Sequence, residues 1–148
     1  MKIRGVSMAE TKRTTIDIDK SDFELYQKLM KTSYFKNNLH LFTCAVLIGK
    51  FIVKKPTAIK KRKDYIRVND NRNNQNLVIL KSLAISYNDS VNILTDENSL
   101  YAYCEKYARP GIKQIFEWYD DPNHDFGTTI SKEMLKVFKN IDLDKLES

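Results

Sequence analysis

The side chains that most often carry out acid–base or metal chemistry are scarce in this sequence. Its 148 residues include two histidines, His40 and His124. His40 lies in the apolar stretch LHLF, which favours a histidine packed in or beside the core over a catalytic base. His124 lies in the loop DDPNHD, which offers oxygen and imidazole ligands to a cation but lacks the fixed spacing of a calcium loop. We therefore predict neither a catalytic histidine nor a metal site.

Two short patterns, DIDK at residues 17–20 and DLDK at residues 142–145, resemble the carboxylate–lysine sets of nucleases. Tetrapeptides of this kind arise by chance, and no nucleophile, base and orienting group accompany them in a recognisable pattern. The four glycines, at positions 5, 49, 111 and 127, are too scattered to form a phosphate-binding loop. The sequence therefore predicts a protein that is not an enzyme and that uses no cofactor.

Binding of a polyanion is the chemistry that the sequence favours. The stretch KKPTAIKKRKDYIRV, residues 54–68, carries seven basic side chains and one acidic side chain. Residues 1–95 carry 18 basic and 8 acidic side chains, whereas residues 96–148 carry 7 and 11, and this asymmetry indicates one face suited to a polyanion. The alternative is a solvated linker between two buried pieces. The predicted contacts to the DNA backbone are Lys54, Lys55, Lys60, Lys61, Arg62, Lys63 and Arg67.

Aromatic side chains crowd the stretch from residue 101 to residue 119. Tryptophan and tyrosine are the usual anchors of protein interfaces, and this stretch has more of them than one face of a short helix can bury. A hydrophobic surface for a larger protein is one interpretation, and an ordinary aromatic core layer is the other. The predicted partner-binding residues are Tyr103, Tyr107, Trp118 and Tyr119.

The elements that position these residues are predicted from hydrophobic periodicity and from helix start and stop signals. They indicate a mainly α fold with a small β element (α+β): a compact, single-domain helical bundle with a short basic β-hairpin. Strands are expected at residues 14–19 and 65–68, with a brief extended piece at 91–94. Helices are expected over about 21–32, 38–48, 77–87, 97–108, 112–119 and 131–141.

Local signals define several of these boundaries. Ser21 and Glu24 form the pattern of a capping box, and Asn37 or Asn38 and Asp96 are suitable N-caps. Gly49 is expected to end the second helix, and the pair Pro110-Gly111 is expected to break the fourth.

The predicted domain covers residues 14–140, with a flexible arm at 1–13 and a C-terminal tail at 141–148. Cys44 and Cys104 lie in apolar surroundings and are expected to be small buried hydrophobes, not a disulfide pair. The longest apolar stretch, Leu39–Val53, is interrupted by Lys50 and is short for a membrane span. We expect a cytoplasmic protein that lacks a signal peptide and does not enter a membrane.

Three segments resemble a known family: YFKNNLHLFTCAVLIGKF at residues 34–51, NLVILKSLAIS at 76–86 and EKYARPGIKQIFEWY at 105–119. They are similar to the accessory protein of DNA phosphorothioation (Dnd) restriction systems called Dnd system-associated protein 4. The similarity covers about residues 14–119, and the last segment matches through Glu105, Tyr107, Ala108, Gly111 and Ile112. Arg109-Pro110 depart from the family's small residues before the glycine, and the chain after residue 120 has no counterpart.

The resemblance implies a non-enzymatic accessory subunit of a prokaryotic anti-phage defence system, beside DNA-acting ATPases and nucleases. It supplies no site residues. Together with the basic segment and the aromatic stretch, the resemblance predicts a protein that contacts the DNA backbone and docks a larger subunit. One alternative is an adaptor that binds only protein. Another is a small ribbon–helix–helix-like regulator, suggested by the strand-then-helix order of TTIDID and SDFELYQKLM, although Asp17 and Asp19 are expected on its outward positions and would repel phosphates.

Overall fold

A computed structural model of the chain describes residues 13–71, 74–87 and 96–141. These residues form five α-helices and a two-stranded antiparallel sheet, with turns and loops between them. The strands are β1 (Thr15–Asp19) and β2 (Arg62–Arg67). The helices are α1 (Phe23–Met30), α2 (Asn38–Ile48), α3 (Gln75–Tyr87), α4 (Glu97–Asp120) and α5 (Phe126–Asn140). This architecture confirms the predicted mainly α class with a small β element.

Several predicted features lie outside the described residues. They are the C-terminal tail beyond residue 141, the extended piece at 91–94, and the N-terminal arm except for Arg13. Among the residues that the structure describes, no helix combines the length and the apolar character needed to cross a membrane.

Helix α2 is the centre of the core. Every residue from Leu41 to Gly49 is buried, because the sequence is apolar on all sides of the helix. Asn37 is the N-cap, and its side-chain oxygen accepts a hydrogen bond from the backbone N–H of His40 at 2.8 Å. The predicted cap is therefore confirmed, and α2 packs most extensively against α4.

The end of α2 differs from the prediction. Gly49 has helical torsion angles (φ −62°, ψ −41°) and begins a π-helical turn, Gly49–Val53. The turn ends at Lys54, which adopts a left-handed conformation with φ 65° and whose N–H donates to the carbonyl of Gly49 at 2.8 Å. Gly49 is therefore not the C-cap, and a lysine takes the left-handed position that glycine usually occupies.

The two glycines at the crossing of α2 and α4 are needed for close backbone approach. A Cβ atom on Gly49 would lie 1.8 Å from the carbonyl oxygen of Tyr107. A Cβ atom on Gly111 would lie 1.7 Å from the carbonyl oxygen of Ala45. Both distances are far below van der Waals contact, so any side chain at either position forces the two helices apart.

Helix α4 runs through Pro110 without a break, so the predicted boundary at Pro110-Gly111 is wrong. Proline has no N–H, and the carbonyl of Lys106 therefore loses its usual helical partner. The backbone N–H of Thr57 donates to that carbonyl at 2.8 Å. A contact from a distant segment thus satisfies the group that Pro110 leaves open, and the 24-residue helix continues.

The basic β-hairpin predicted within residues 54–68 does not form. Strand β2 pairs instead with β1, so that Ile16 lies opposite Ile66 and Asp19 lies opposite Arg62. The register shifts after Ile16, and the extra residue in β2 is Tyr65, whose ring packs 4.6 Å from that of Tyr26. Because β1 supplies buried isoleucines and residues 54–61 lack an alternating apolar pattern, β1 is the better partner.

The capping box predicted for α1 is also replaced. Ser21 lies in a 3₁₀ turn, Lys20–Asp22, and both its N–H and its hydroxyl donate to the carboxylate of Asp19, at 3.0 and 2.7 Å. Glu24 forms an ion pair with Lys28 instead of reaching back. The extra turn moves Ser21 out of the N-cap position. Asp96 caps α4 as predicted, accepting from the N–H of Asn98 at 3.0 Å.

Candidate nucleic-acid interface

Residues 54–61, called the lysine loop below, are attached to α4 at two points. The first is the hydrogen bond from Thr57 to the carbonyl that Pro110 leaves open. The second is the carbonyl of Ala58, which accepts a hydrogen bond from the Arg109 guanidinium at 2.7 Å. The loop therefore crosses α4 at the proline and is held by backbone groups, which leaves its side chains free to project.

Three further hydrogen bonds join the lysine loop to β1 and the residue that follows it. The backbone N–H groups of Lys60 and Lys61 donate to the carboxylate of Asp19, at 2.7 and 3.3 Å. The backbone N–H of Lys20 donates to the carbonyl of Lys61 at 2.8 Å. Since these bonds again use main-chain atoms, the ammonium groups of the three lysines take no part in them.

Asp19 is the acceptor that organises this junction. Burial alone raises the pKa of a carboxyl group, but the N–H groups of Lys60, Ser21 and Lys61 and the Ser21 hydroxyl outweigh it, so that the pKa of Asp19 is lowered well below its ordinary value. The carboxylate therefore stays ionised in the folded protein far into the acid range. Its negative charge is 3% exposed and is compensated by these donors and by the Arg109 guanidinium, whose Nη1 lies 3.4 Å away.

Replacing Asp19 by asparagine should destabilise the fold at neutral pH by about 2 kcal/mol, because a carboxylate that accepts several hydrogen bonds becomes an amide whose NH₂ faces donors. The folded pKa of Asp19 is lowered, so its contribution is present above the unfolded pKa, near 4, and is lost as the pH falls further. The difference between wild type and Asp19→Asn should therefore shrink from pH 7 to pH 3. Urea unfolding at both pH values measures it.

The matched control is Asp120→Asn, which changes an exposed carboxyl at the end of α4. It should leave stability within about 0.5 kcal/mol of wild type at both pH values. A pH-independent loss in Asp19→Asn would show that the ionised carboxylate is not what fastens the loop.

Four of the seven predicted DNA contacts are unengaged. The side chains of Lys54, Lys55, Lys60 and Lys61 are exposed, and within residues 13–71, 74–87 and 96–141 they form neither an ion pair nor a cation–π contact. Lys20 joins them, since it is exposed and lines a shallow concavity of about 520 Å³ with Lys60 and Lys61. Lys20 was not predicted, because only the pairing of β1 with β2 brings it to the loop.

The other three predicted contacts have partners inside the molecule. Arg62 forms ion pairs with Asp17 at 3.2 Å and with Glu105 at 3.1 Å. The ammonium of Lys63 lies 4.3 Å from the centre of the Phe23 ring, and Arg67 is paired with Asp70 at 3.4 Å. Arg62 in particular serves the fold, because its carboxylate partners are buried.

A buried charged cluster lies beneath the lysine loop. Glu105 is 2% exposed and contacts the guanidinium groups of Arg13 and Arg62, while it accepts from the backbone N–H of Asp17 at 2.7 Å. Arg13 also pairs with the carboxylate of Asp17 at 3.3 Å. The sequence analysis names Glu105 only as part of the family resemblance and does not predict its burial. The two arginines compensate the two buried carboxylates, as buried acids require.

Arg109 forms a second part of the cluster one helical turn after Glu105. Its Nε donates to Asp22 at 3.3 Å, and its Nη1 lies 3.4 Å from the carboxylate of Asp19. Burial raises the pKa of Asp22, and the positive charges of Arg109 and Lys113 partly oppose this rise. Arg109 thus connects the lysine loop, the 3₁₀ turn and α4 through one side chain.

Strand β1 contradicts the expectation that Asp17 and Asp19 face outward, since both are buried. The strand pairs with β2 of the same chain, which differs from the ribbon shared by two chains in a ribbon–helix–helix dimer. Both aspartates serve the charged cluster, and the alternation of TTIDID therefore does not mark a solvent-facing edge.

The aromatic residues predicted to bind a partner fall into two places. Tyr103 is 5% exposed and packs on Tyr107 with ring centres 5.2 Å apart, and the Lys50 ammonium lies 5.0 Å from the Tyr107 ring. This pair belongs largely to the core. Trp118 is half-buried and lines two neighbouring clefts, of about 570 and 650 Å³, and Tyr119 is exposed. The accessible part of the predicted surface is the end of α4.

The histidines have structural surroundings. His40 is half-buried, its Nδ1 accepts from the N–H of Lys36 at 3.0 Å, and burial together with the charge of Lys36 lowers its pKa. His124 is exposed and lies 2.9 Å from Asp121. Across the three described ranges, no three His, Cys, Asp or Glu side chains are grouped closely enough to hold a metal ion. Cys44 and Cys104 are buried free thiols, as predicted.

Comparison of the chain with family models, curated proteins and solved structures finds no match. The chemistry of the lysine loop and its supports is therefore the basis on which a function is inferred. Its exposed ammonium groups form no ion pair within the described residues, and its backbone is held to α4 and β1 by hydrogen bonds.

Proposed function

We propose that this chain is a non-enzymatic accessory protein that contacts the phosphate backbone of DNA through the lysine loop. The observation that supports it is the combination of exposed ammonium groups, which form no ion pair with the described part of the chain, with a backbone fastened to α4 and β1. A solvated linker needs no such attachment. A loop that is already ordered loses little conformational entropy on binding, so more of its electrostatic attraction appears as affinity.

Contacts from ammonium groups to phosphates carry no sequence information, so the proposed binding is independent of DNA sequence. The resemblance of three segments to the Dnd-associated family supplies the setting: an accessory subunit in an anti-phage defence system that acts on DNA. In that setting the exposed end of α4, with Trp118 and Tyr119, is the proposed docking surface for a larger subunit.

The salt dependence of DNA binding tests the proposal. If Lys54, Lys55, Lys60 and Lys61 each neutralise one phosphate, log K should fall against log salt with a slope of about −3.6, which is a loss of about 150-fold between 50 and 200 mM. Replacing Lys60 and Lys61 by glutamine should reduce the slope to about −1.8. Fluorescence anisotropy with a labelled random-sequence duplex measures both.

The control replaces Lys132 and Lys139, two exposed lysines of α5, by glutamine. It makes the same change in net charge and should leave the slope near −3.6. Equal slopes in the two double variants, or a wild-type affinity that does not respond to salt, would rule out the lysine loop as the DNA contact.

A second candidate is an adaptor whose lysine loop faces an acidic protein surface, since carboxylates pair with the same ammonium groups. This candidate predicts a complex that survives nuclease treatment in a pull-down and a protein that does not shift DNA. Loss of the complex in the Lys60/Lys61 double variant, without any DNA binding by wild type, would select it.

A further inference from the structure

The protein has a second candidate surface, which is apolar, unlike the basic lysine loop. Within the described residues, five of the seven exposed large hydrophobic side chains lie on α3 and α5. They range from 37% to 62% exposed, and they are Val78, Ile79, Ile85, Leu135 and Phe138. Helix α3 already buries its opposite side in the core through other leucines, so these residues form an additional apolar face that is exposed within the described residues.

The exposed face of α3 has the spacing of a helix-packing stripe. Val78, Ser82 and Ile85 are separated by four and then three residues, which places them in line along the helix. Ser82 is small and lies at the middle of the stripe, where it permits a close approach of another helix. The helix contains one charged residue, Lys81, and Lys81 is off the stripe and half-buried.

Along this stripe lies an apolar groove of about 300 Å³ between α3 and α5. Val78, Ile79 and Ser82 form one wall, Phe138 forms the other, and Leu47 and Leu83 contribute to its lining. The α3 stripe is therefore one rim of the groove, and Phe138 extends the apolar face beyond α3. Such a face can pack on a copy of itself related by a twofold axis, because the same apolar stripe then meets itself in the antiparallel direction.

We propose that α3 packs antiparallel against α3 of a second copy of this chain, with the twofold axis passing close to Ser82. In this arrangement Ser82 meets its own copy, and Val78 of each subunit meets Ile85 of the other. A twofold axis brings like side chains together, so a charged stripe would repel itself, whereas this one is uncharged. The proposal does not rest on DNA binding by the lysine loop.

The area of the surface fits a dimer. Five side chains of this size, each about half exposed, present on the order of 400–500 Å² of apolar surface. A standard interface buries about 800 Å² on each partner, and about 60% of that area is apolar. A dimer centred on α3 that also covers the exposed side chains of α5 would therefore bury the apolar area of one side of a standard interface.

Disulfide cross-linking tests the position of the axis. The sequence has two cysteines, both buried, so Ser82→Cys introduces a single accessible thiol. Under mild oxidation Ser82→Cys should become a covalent dimer on non-reducing gels in high yield. The control is Ser33→Cys, at an exposed position before α2, which should remain monomeric under the same conditions. Equal cross-linking of the two variants would overturn the proposed axis.

A non-covalent measurement keeps the test independent of oxidation. Light scattering of the wild-type protein should give a molar mass twice the 17.3 kDa of one chain. Ile85→Glu buries a charge in the interface and should return the mass to one chain, with an unchanged circular dichroism spectrum because the position is exposed in the monomer. Ser33→Glu should stay dimeric. A monomeric wild type from about 1 to 100 µM would overturn the proposal and assign the face to another partner or segment.

Discussion

Replacing Gly111 by alanine should destabilise the protein by about 3 kcal/mol or more, the largest effect expected of a single added methyl group. The new Cβ would lie 1.7 Å from the carbonyl oxygen of Ala45 and 2.9 Å from the backbone nitrogen of Gly49. These are backbone atoms of a buried helix and cannot rotate away, so α2 and α4 must separate. For a chain of this size, thermal unfolding should shift down by about 6–12 °C.

The control for this substitution is Gly127→Ala in α5. A Cβ there would lie 2.7 Å from a ring carbon of Tyr34, whose side chain is 46% exposed and can swing aside. The gain in helix propensity offsets this movement, so stability should change by no more than about 1 kcal/mol. If Gly111→Ala were as stable as Gly127→Ala, the close crossing of α2 and α4 would be wrong.

Removal of the Arg109 guanidinium should have an effect of similar size. Arg109→Met should cost about 3–5 kcal/mol at pH 7, because it leaves the buried carboxylates of Asp19 and Asp22 without their cation. It also leaves the carbonyl of Ala58 without its donor. Chemical denaturation measures the loss, and hydrogen exchange at residues 57–61 should show that the lysine loop is released before the helices unfold.

The pH dependence of the stability of Arg109→Met shows whether an ionised, unpaired carboxylate causes the loss. The folded pKa of Asp22 is already raised by burial, and losing Arg109 raises it further. An acid with a raised folded pKa costs stability when it is ionised, and this cost disappears as the pH falls through that pKa. The difference in free energy of unfolding between wild type and Arg109→Met should therefore become smaller from pH 7 towards pH 4.

A matched double variant separates charge from packing. Adding Asp22→Asn to Arg109→Met removes one of the stranded charges and should recover part of the lost stability. Recovery by the second substitution would assign the loss to an unpaired carboxylate. A double variant that is less stable than Arg109→Met alone would contradict the ion-pair account and assign the loss to the packing of the arginine stem.

The parts of the fold that the sequence predicts well are those fixed by neighbouring residues. The all-apolar run of α2 predicts a central helix, and the N-caps Asn37 and Asp96 act on N–H groups within three residues of themselves. Such local interactions can be predicted from the sequence because both partners lie within a few residues of each other. The burial of Cys44 and Cys104 follows from their apolar neighbours in the same way.

One wrong prediction, the capping box of Ser21 and Glu24, fails because the neighbouring carboxylate of Asp19 binds Ser21 instead. Others concern groups whose partners are far away in the chain. Pro110 predicts a helix break, but the helix continues because the N–H of Thr57 donates to the carbonyl of Lys106, which Pro110 leaves without a helical partner. The seven DNA contacts stay a prediction, and the structure adds that one of them, Arg62, forms ion pairs with Asp17 and Glu105. Composition indicates how many charges there are, and only the tertiary structure decides which of them remain for a ligand.

The charged cluster also has a consequence for the order in which the molecule assembles. It joins Arg13 to Glu105, 92 positions along the chain, and Asp22 to Arg109, 87 positions along. Closing such long loops is slow compared with forming helices, and a chain made from its N-terminus has β1 and the lysine loop long before α4. During synthesis the lysine loop can bond to β1 through Asp19, but its two attachments to α4 wait until Lys106 and Arg109 have emerged. The lysine surface is a late product of folding, completed only with the last third of the domain.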